Sequence, residues 1–79
     1  MKLKEIEPEH QELFLAIGKQ IRNLRKSKNM SYIEISERIN ISRNSYNQLE
    51  LGISNFRFLT LLAVLKYYEI DISDFFKEI

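Results

Sequence analysis

Between Ser42 and Gly52 the chain reads Ser-Arg-Asn-Ser-Tyr-Asn-Gln-Leu-Glu-Leu-Gly. Tyr46 and Leu49 fall about one helical turn apart and give an apolar side, while Arg43, Asn44, Asn47 and Gln48 crowd the opposite side. These four side chains share a chemistry. A guanidinium bonds O6 and N7 of guanine in a fork, and a carboxamide does the same for N6 and N7 of adenine. The plainer reading of the same cluster is a solvated helix face.

Other chemistries have little to work with. The 79 residues include no cysteine, and His10 is the single histidine, beside an acidic stretch where a surface histidine is unremarkable. Gly18 and Gly52 are the two glycines, so no glycine-rich phosphate loop exists. Carboxylates are numerous but lack metal-ligand spacing. An enzyme is not expected, and neither is a cofactor or a metal. No apolar run approaches the ~18 residues that cross a bilayer, and residues 1–12 carry too much charge for a secretory leader. A cytoplasmic protein without a membrane partner is the expectation.

The charge is unevenly spread. Residues 1–18 set Lys2 and Lys4 against Glu5, Glu7, Glu9 and Glu12, and residues 58–79 are likewise slightly acidic. Between them, residues 19–57 carry Lys19, Arg22, Arg25, Lys26, Lys28, Arg38, Arg43 and Arg57 against Glu34, Glu37 and Glu50. A basic middle between acidic ends suits a polyanion.

The elements that must position these residues are helical throughout. Pro8 suits the first turn of a helix, and Leu13, Phe14, Ile17, Ile21 and Leu24 then form one stripe to about Lys28. Ser31-Tyr-Ile-Glu34 has capping-box spacing, which starts a helix over about Tyr32–Ile39, and Asn40 suits its left-handed end. Ser42 caps the next helix and Gly52 ends it. Two short capped helices joined by Asn-Ile-Ser constitute a helix-turn-helix, spanning residues 31–52, with the reading helix at 43–51. An apolar helix follows over about Phe58–Glu69, with Leu59, Leu62, Leu65 and Tyr68 as its stripe and Leu61 and Val64 alongside. Asn55 is a candidate cap for it. A last short helix starts at Ser73, capped by that residue. The expected core is Phe14, Ile17, Ile21, Leu24, Ile35, Ile39, Ile41, Tyr46, Leu49, Leu62, Leu65, Ile72 and Phe75.

Several segments resemble the Xre/Cro-type helix-turn-helix family. Ile17-Gly-Lys-Gln-Ile-Arg-Asn-Leu-Arg25 is similar to its first helix, and Met30-Ser-Tyr-Ile-Glu-Ile-Ser-Glu-Arg-Ile-Asn-Ile-Ser42 to its scaffold helix and turn. Residues 42–52, with their Glu-x-Gly ending, look like its recognition helix, and Phe58-Leu-Thr-Leu-Leu62 and Ile70-Asp-Ile-Ser-Asp-Phe-Phe76 like its closing helices. The resemblance runs over about residues 14–76. Tyr32 stands where the family commonly has glutamine, Asn40 where glycine is common, and Phe56 and Arg57 where proline and a small capping residue are frequent.

The resemblance implies an all-α, compact five-helix bundle of the lambda-repressor-like type, one domain over residues 1–79 with an extension at 1–8. It also implies roles. The N-terminal half of the reading helix enters the major groove of double-stranded DNA, so Arg43, Asn44, Asn47 and Gln48 would meet base edges. Phosphates would be met by the N-termini of the second and third helices, assisted by Tyr32, Ser42, Ser45 and Lys28 or Arg22. The family places an ion pair where Arg25 and Glu50 stand. Phe56, Phe58, Tyr67, Phe76 and Ile79 are more apolar surface than a small bundle can bury. A C-terminal homodimer contact would absorb them and suit a palindromic operator, and local packing is the alternative. A transcriptional repressor is the expected role. The rival is an antitoxin or other protein-interaction module on the same fold.

Overall fold

The computed structural model describes residues 7–53 and 55–79. The expected extension at 1–8 therefore lies mostly outside the described residues. Among the described residues five helices follow one another: α1 Pro8–Ser27, α2 Tyr32–Arg38, α3 Arg43–Leu51, α4 Phe58–Tyr67 and α5 Ile72–Lys77. The all-α, five-helix, lambda-repressor-like architecture is what the chain adopts.

Local chemistry sets most of the boundaries. Pro8 opens α1, where its missing N–H has no partner to lose. At α2 the capping box is complete, with the Glu34 N–H donating to Ser31 Oγ at 3.1 Å and the Ser31 N–H to Glu34 Oε1 at 3.0 Å. At α3 the Ser45 N–H donates to Ser42 Oγ at 3.1 Å, and Gly52 ends the helix at φ 64°. Three helices end on a non-glycine residue of positive φ: Asn29 after α1, Asn40 after α2 and Glu69 after α4. Each makes the same double bond. For α2 these are Asn40 N–H to Glu37 C=O at 3.2 Å and Ile41 N–H to Ser36 C=O at 2.9 Å, the Schellman arrangement. The next residue is apolar in every case (Met30, Ile41, Ile70), so each cap is also a packing point.

The core comprises Ile17 and Ile21 of α1, Ile35 of α2, Tyr46 and Leu49 of α3, Leu61, Val64 and Leu65 of α4, with Tyr68 and Phe75. Leu24, Ile39 and Ile72 pack against it half-buried, while Phe14 and Ile41 are half-buried. Three expectations need correction. The inner stripe of α4 is Leu61, Val64, Leu65 and Tyr68, so Leu62 faces out at 37 % exposure and Leu59 at 75 %. The helix is apolar all round, and its periodicity alone does not choose a face. Arg57 stands at the N-cap of α4 without a side-chain cap bond, in place of Asn55. Asp71 caps α5, accepting from the Ser73 N–H at 3.1 Å, so Ser73 is the capped residue and not the cap.

Both glycines lie where α1 meets α3. A Cβ on Gly18 would sit 2.9 Å from the Leu49 carbonyl oxygen and closer still to that of Glu50. A Cβ on Gly52 would press on the backbone of Phe14 and Leu15. The two backbones are thus in direct contact at either end of the crossing, which seats α3 on the long first helix.

Candidate nucleic-acid interface

The polar side of α3 follows from its buried side. Tyr46 and Leu49 are fully enclosed, which turns Arg43 and Asn44 into solvent and leaves Asn47 and Gln48 half-buried beside them. Arg43 Nη2 lies 3.5 Å from Glu37 Oε2 of α2, with both side chains exposed. An exposed pair at that distance is worth ~1 kcal/mol or less, so it sets a resting position that a stronger acceptor displaces.

The candidate phosphate contacts divide into three places. Ser42 and Ser45 lie at the N-terminus of α3, where the Ser42 hydroxyl donates to Ser45 Oγ at 2.9 Å and leaves the Ser45 proton available. Tyr32 stands exposed at the start of α2, and Lys28 is exposed just after α1. Arg22 is elsewhere. Its Nε lies 3.6 Å from Glu50 Oε1, toward the C-terminal end of α3 and ~10 Å along the helix from Arg43.

Arg25 and Glu50 meet between α1 and α3. Arg25 Nε donates to Glu50 Oε2 at 2.6 Å and Nη2 to Oε1 at 3.0 Å, while Nη1 donates to the Met30 carbonyl at 2.8 Å. The side chains are 15 % and 3 % exposed. Burial pushes the Glu50 carboxyl up, but Arg25, the Tyr46 hydroxyl and Arg22 together outweigh it and hold its pKa below the ordinary range. The hydrogen bond to Glu50 likewise raises the pKa of Arg25. The Tyr46 and Tyr68 hydroxyls are buried near this pair without a well-formed hydrogen bond among the described residues. Burial raises the pKa of both.

A shallow crevice of about 110 Å³ beside α3 is lined by Asn44, Ser45 and Gln48, and by Asn55, Arg57 and Thr60 from the start of α4. The sequence assigns Asn55 and Arg57 no contact role: beyond the positive charge of Arg57 nothing local signals one, because the approach of these two residues to the reading helix is a long-range fact.

The residues expected at a dimer contact separate as well. Phe56 meets Phe14 with ring centroids 5.1 Å apart, Tyr67 donates toward Met30 Sδ at 3.7 Å, and Phe76 packs edge-on against Phe75. All three are half-buried against the protein's own core. Phe58 and Ile79 are exposed, and Leu59 and Leu62 join Phe58 on the outer side of α4.

Among the described residues no three histidine or carboxylate side chains gather as a metal site, and no helix is long and apolar enough to cross a membrane. No curated protein matches the chain. The helix-turn-helix family model matches residues 21–75, from the middle of α1 into α5. With α2 and α3 both capped, α3 seated on α1 and α2 packed on α3, the chain belongs to the Xre, lambda-repressor-like family of DNA-binding helix-turn-helix proteins.

Proposed function

We propose that the protein is a sequence-specific transcriptional repressor that reads the major groove with α3. The observation that carries this reading is the composition of the outer side of α3. Arg43 and Asn44 are exposed on its first turn, Asn47 and Gln48 follow one turn later, and each has donors suited to a base edge. Arg43 forks onto a guanine, and the carboxamides are matched to adenines. Ser42, Ser45, Tyr32 and Lys28 set register on the phosphates around that helix, with Asn55 and Arg57 added from the start of α4. At α2 the capping box already occupies two of the terminal N–H groups, so Tyr32 contributes there through its hydroxyl.

Arg25 and Glu50 are given an architectural role. Their bidentate pair holds the angle of α3 on α1, which decides how the reading side chains enter the groove. The protein acts as a homodimer on a palindromic operator. Phe58, Leu59 and Leu62 are the centre of the interface, because they form the uncovered apolar side of a helix in a small bundle. Selection of random duplex DNA on the protein, followed by sequencing, tests the reading. An enriched motif with two-fold symmetry supports it, and the absence of any enriched sequence overturns it. A monomer mass that does not change with concentration overturns the dimer.

A further inference from the structure

The side of α1 beside the C-terminal end of α3 has its own geometry. An open groove of about 480 Å³ runs along it, floored by Leu15 and Leu51 and lined by Lys19, Arg22, Asn23 and Lys26, with Glu50 in its wall. A second hollow, of about 190 Å³, is lined by Leu15 as well, with Gln11, Gly52 and Ile53. Leu15 and Ile53 are both largely exposed. The two hollows share Leu15, and together they present apolar surface toward Ile53, with Gln11 beside it, and basic side chains toward Lys26.

The charges here are available. Among the described residues, Lys19 and Lys26 have no carboxylate within ion-pair distance, and Arg22 makes only the 3.6 Å approach to Glu50. Glu50 is itself satisfied by two bonds from Arg25, so it does not cancel the lysines. DNA is a poor occupant for three reasons. The floor is apolar, the wall is the C-terminal end of α3 with its negative partial charge, and the groove lies ~10 Å along α3 from Arg43. A bilayer surface is flat, whereas this site is concave. An acidic segment that also brings apolar side chains satisfies both hollows.

We infer that the α1–α3 groove is a docking site for an acidic, amphipathic segment of a protein partner, with carboxylates on Lys19, Arg22 and Lys26 and an apolar side chain over Leu15, Leu51 and Ile53. This surface is centred ~10 Å along α3 from Arg43, at the far end of the reading helix. Lys19, Arg22 and Lys26 recur at three- and four-residue spacing, which matches one edge of a helical partner.

The test uses the full chain and a synthetic helical peptide of about four turns, with glutamates along one edge and leucines along its face. Amide shifts are followed by NMR during titration. Saturable binding with shifts confined to Leu15, Lys19, Arg22, Lys26, Leu51 and Ile53 is expected. It should weaken at least about tenfold in the Lys19→Gln/Lys26→Gln variant, and to a similar degree with a peptide lacking the leucines. The ratio of operator to scrambled-DNA affinity should be unchanged in that variant, and any uniform loss on DNA should be smaller than the loss of peptide binding. Shifts centred on Arg43–Gln48, equal binding of the leucine-free peptide, or no saturable binding overturn the proposal. It is overturned too if mere dilution of the free protein shifts the same groove residues, since the occupant is then a second copy. A loss of DNA affinity as large as the loss of peptide binding assigns the groove to the DNA site instead.

Discussion

Arg25 and Glu50 are joined by two hydrogen bonds, 2.6 and 3.0 Å long, that cross from the first helix to the last turn of α3. The third guanidinium bond, to the Met30 carbonyl, ties the same arginine to the segment leading into α2. One side chain therefore references both helices of the motif to α1. Because Glu50 is almost wholly enclosed, removing the arginine leaves a buried carboxylate without its partner.

Arg25→Ala is expected to destabilise the fold by ~3 kcal/mol, the usual cost of orphaning one member of a buried pair. Replacing both members with apolar residues, Arg25→Met/Glu50→Leu, removes the orphan and should recover most of that loss. Urea denaturation of the two single variants and the double variant measures the coupling. Additive losses would show that the two side chains act independently.

Acid should expose the same pair. The Glu50 pKa in the folded chain lies below its ordinary value of 4.5, so in the window below 4.5 the unfolded chain binds more protons than the folded one. Stability contributed by Glu50 is thus fully present above 4.5 and is lost as pH falls through the depressed folded value. The exposed Asp71, whose pKa is lowered by its bonds from Ser73, titrates in the same direction. Unfolding free energy measured from pH 7 downward should fall less steeply below 4.5 in Glu50→Gln than in the parent chain.

Gly18→Ala sets two effects against each other. Alanine in a helix interior gains about 1 kcal/mol over glycine in propensity. Here the new methyl would meet the backbone carbonyls of Leu49 and Glu50, which cannot rotate away. Overpacking of this kind costs ~1–3 kcal/mol, so a net loss of stability is expected. A rise in the thermal midpoint would mean that α3 shifts freely on α1.

Glu69 is the converse case. It holds φ 57° at the end of α4, where a side chain brings a steric penalty and no described ion pair compensates. Glu69→Gly should raise stability by up to about 1 kcal/mol, the left-handed penalty less the entropy of glycine in the unfolded chain. Thermal unfolding of this variant beside Glu69→Ala, which should gain nothing, checks it.

What the sequence reveals and what it hides have the same cause. Ser31 with Glu34, Ser42, Asn40 and Gly52 announce α2 and α3 because caps are satisfied within a few residues of themselves. At α4 the run Phe58-Leu59-Thr60-Leu61-Leu62 is largely apolar on every side, and only packing into the core, against α3, decides that Leu61 turns in and Leu62 out. Asp71 and Ser73 are both good caps two residues apart, and the hydrogen bond to Ser73 N–H chooses between them. Phe56 looks like surplus apolar surface until Phe14, far away in sequence, is placed against it. The polar side of α3 is legible from residue type, whereas the approach of Asn55 and Arg57 to it, and the groove along Lys19 and Lys26, exist only in three dimensions.

Sequence reading by α3 is tested most directly by fluorescence-anisotropy titration of the parent chain and Arg43→Ala on three duplexes at one salt concentration. The duplexes are the selected operator, the operator with single base-pair swaps, and a scrambled sequence. The parent should bind the operator at least ~1,000-fold more tightly than the scrambled duplex. Arg43→Ala should lose ~1–3 kcal/mol on the operator, become indifferent to one base pair and keep its affinity for the scrambled duplex. Equal losses on operator and scrambled DNA, or a parent chain that binds the two alike, would contradict base reading by this helix.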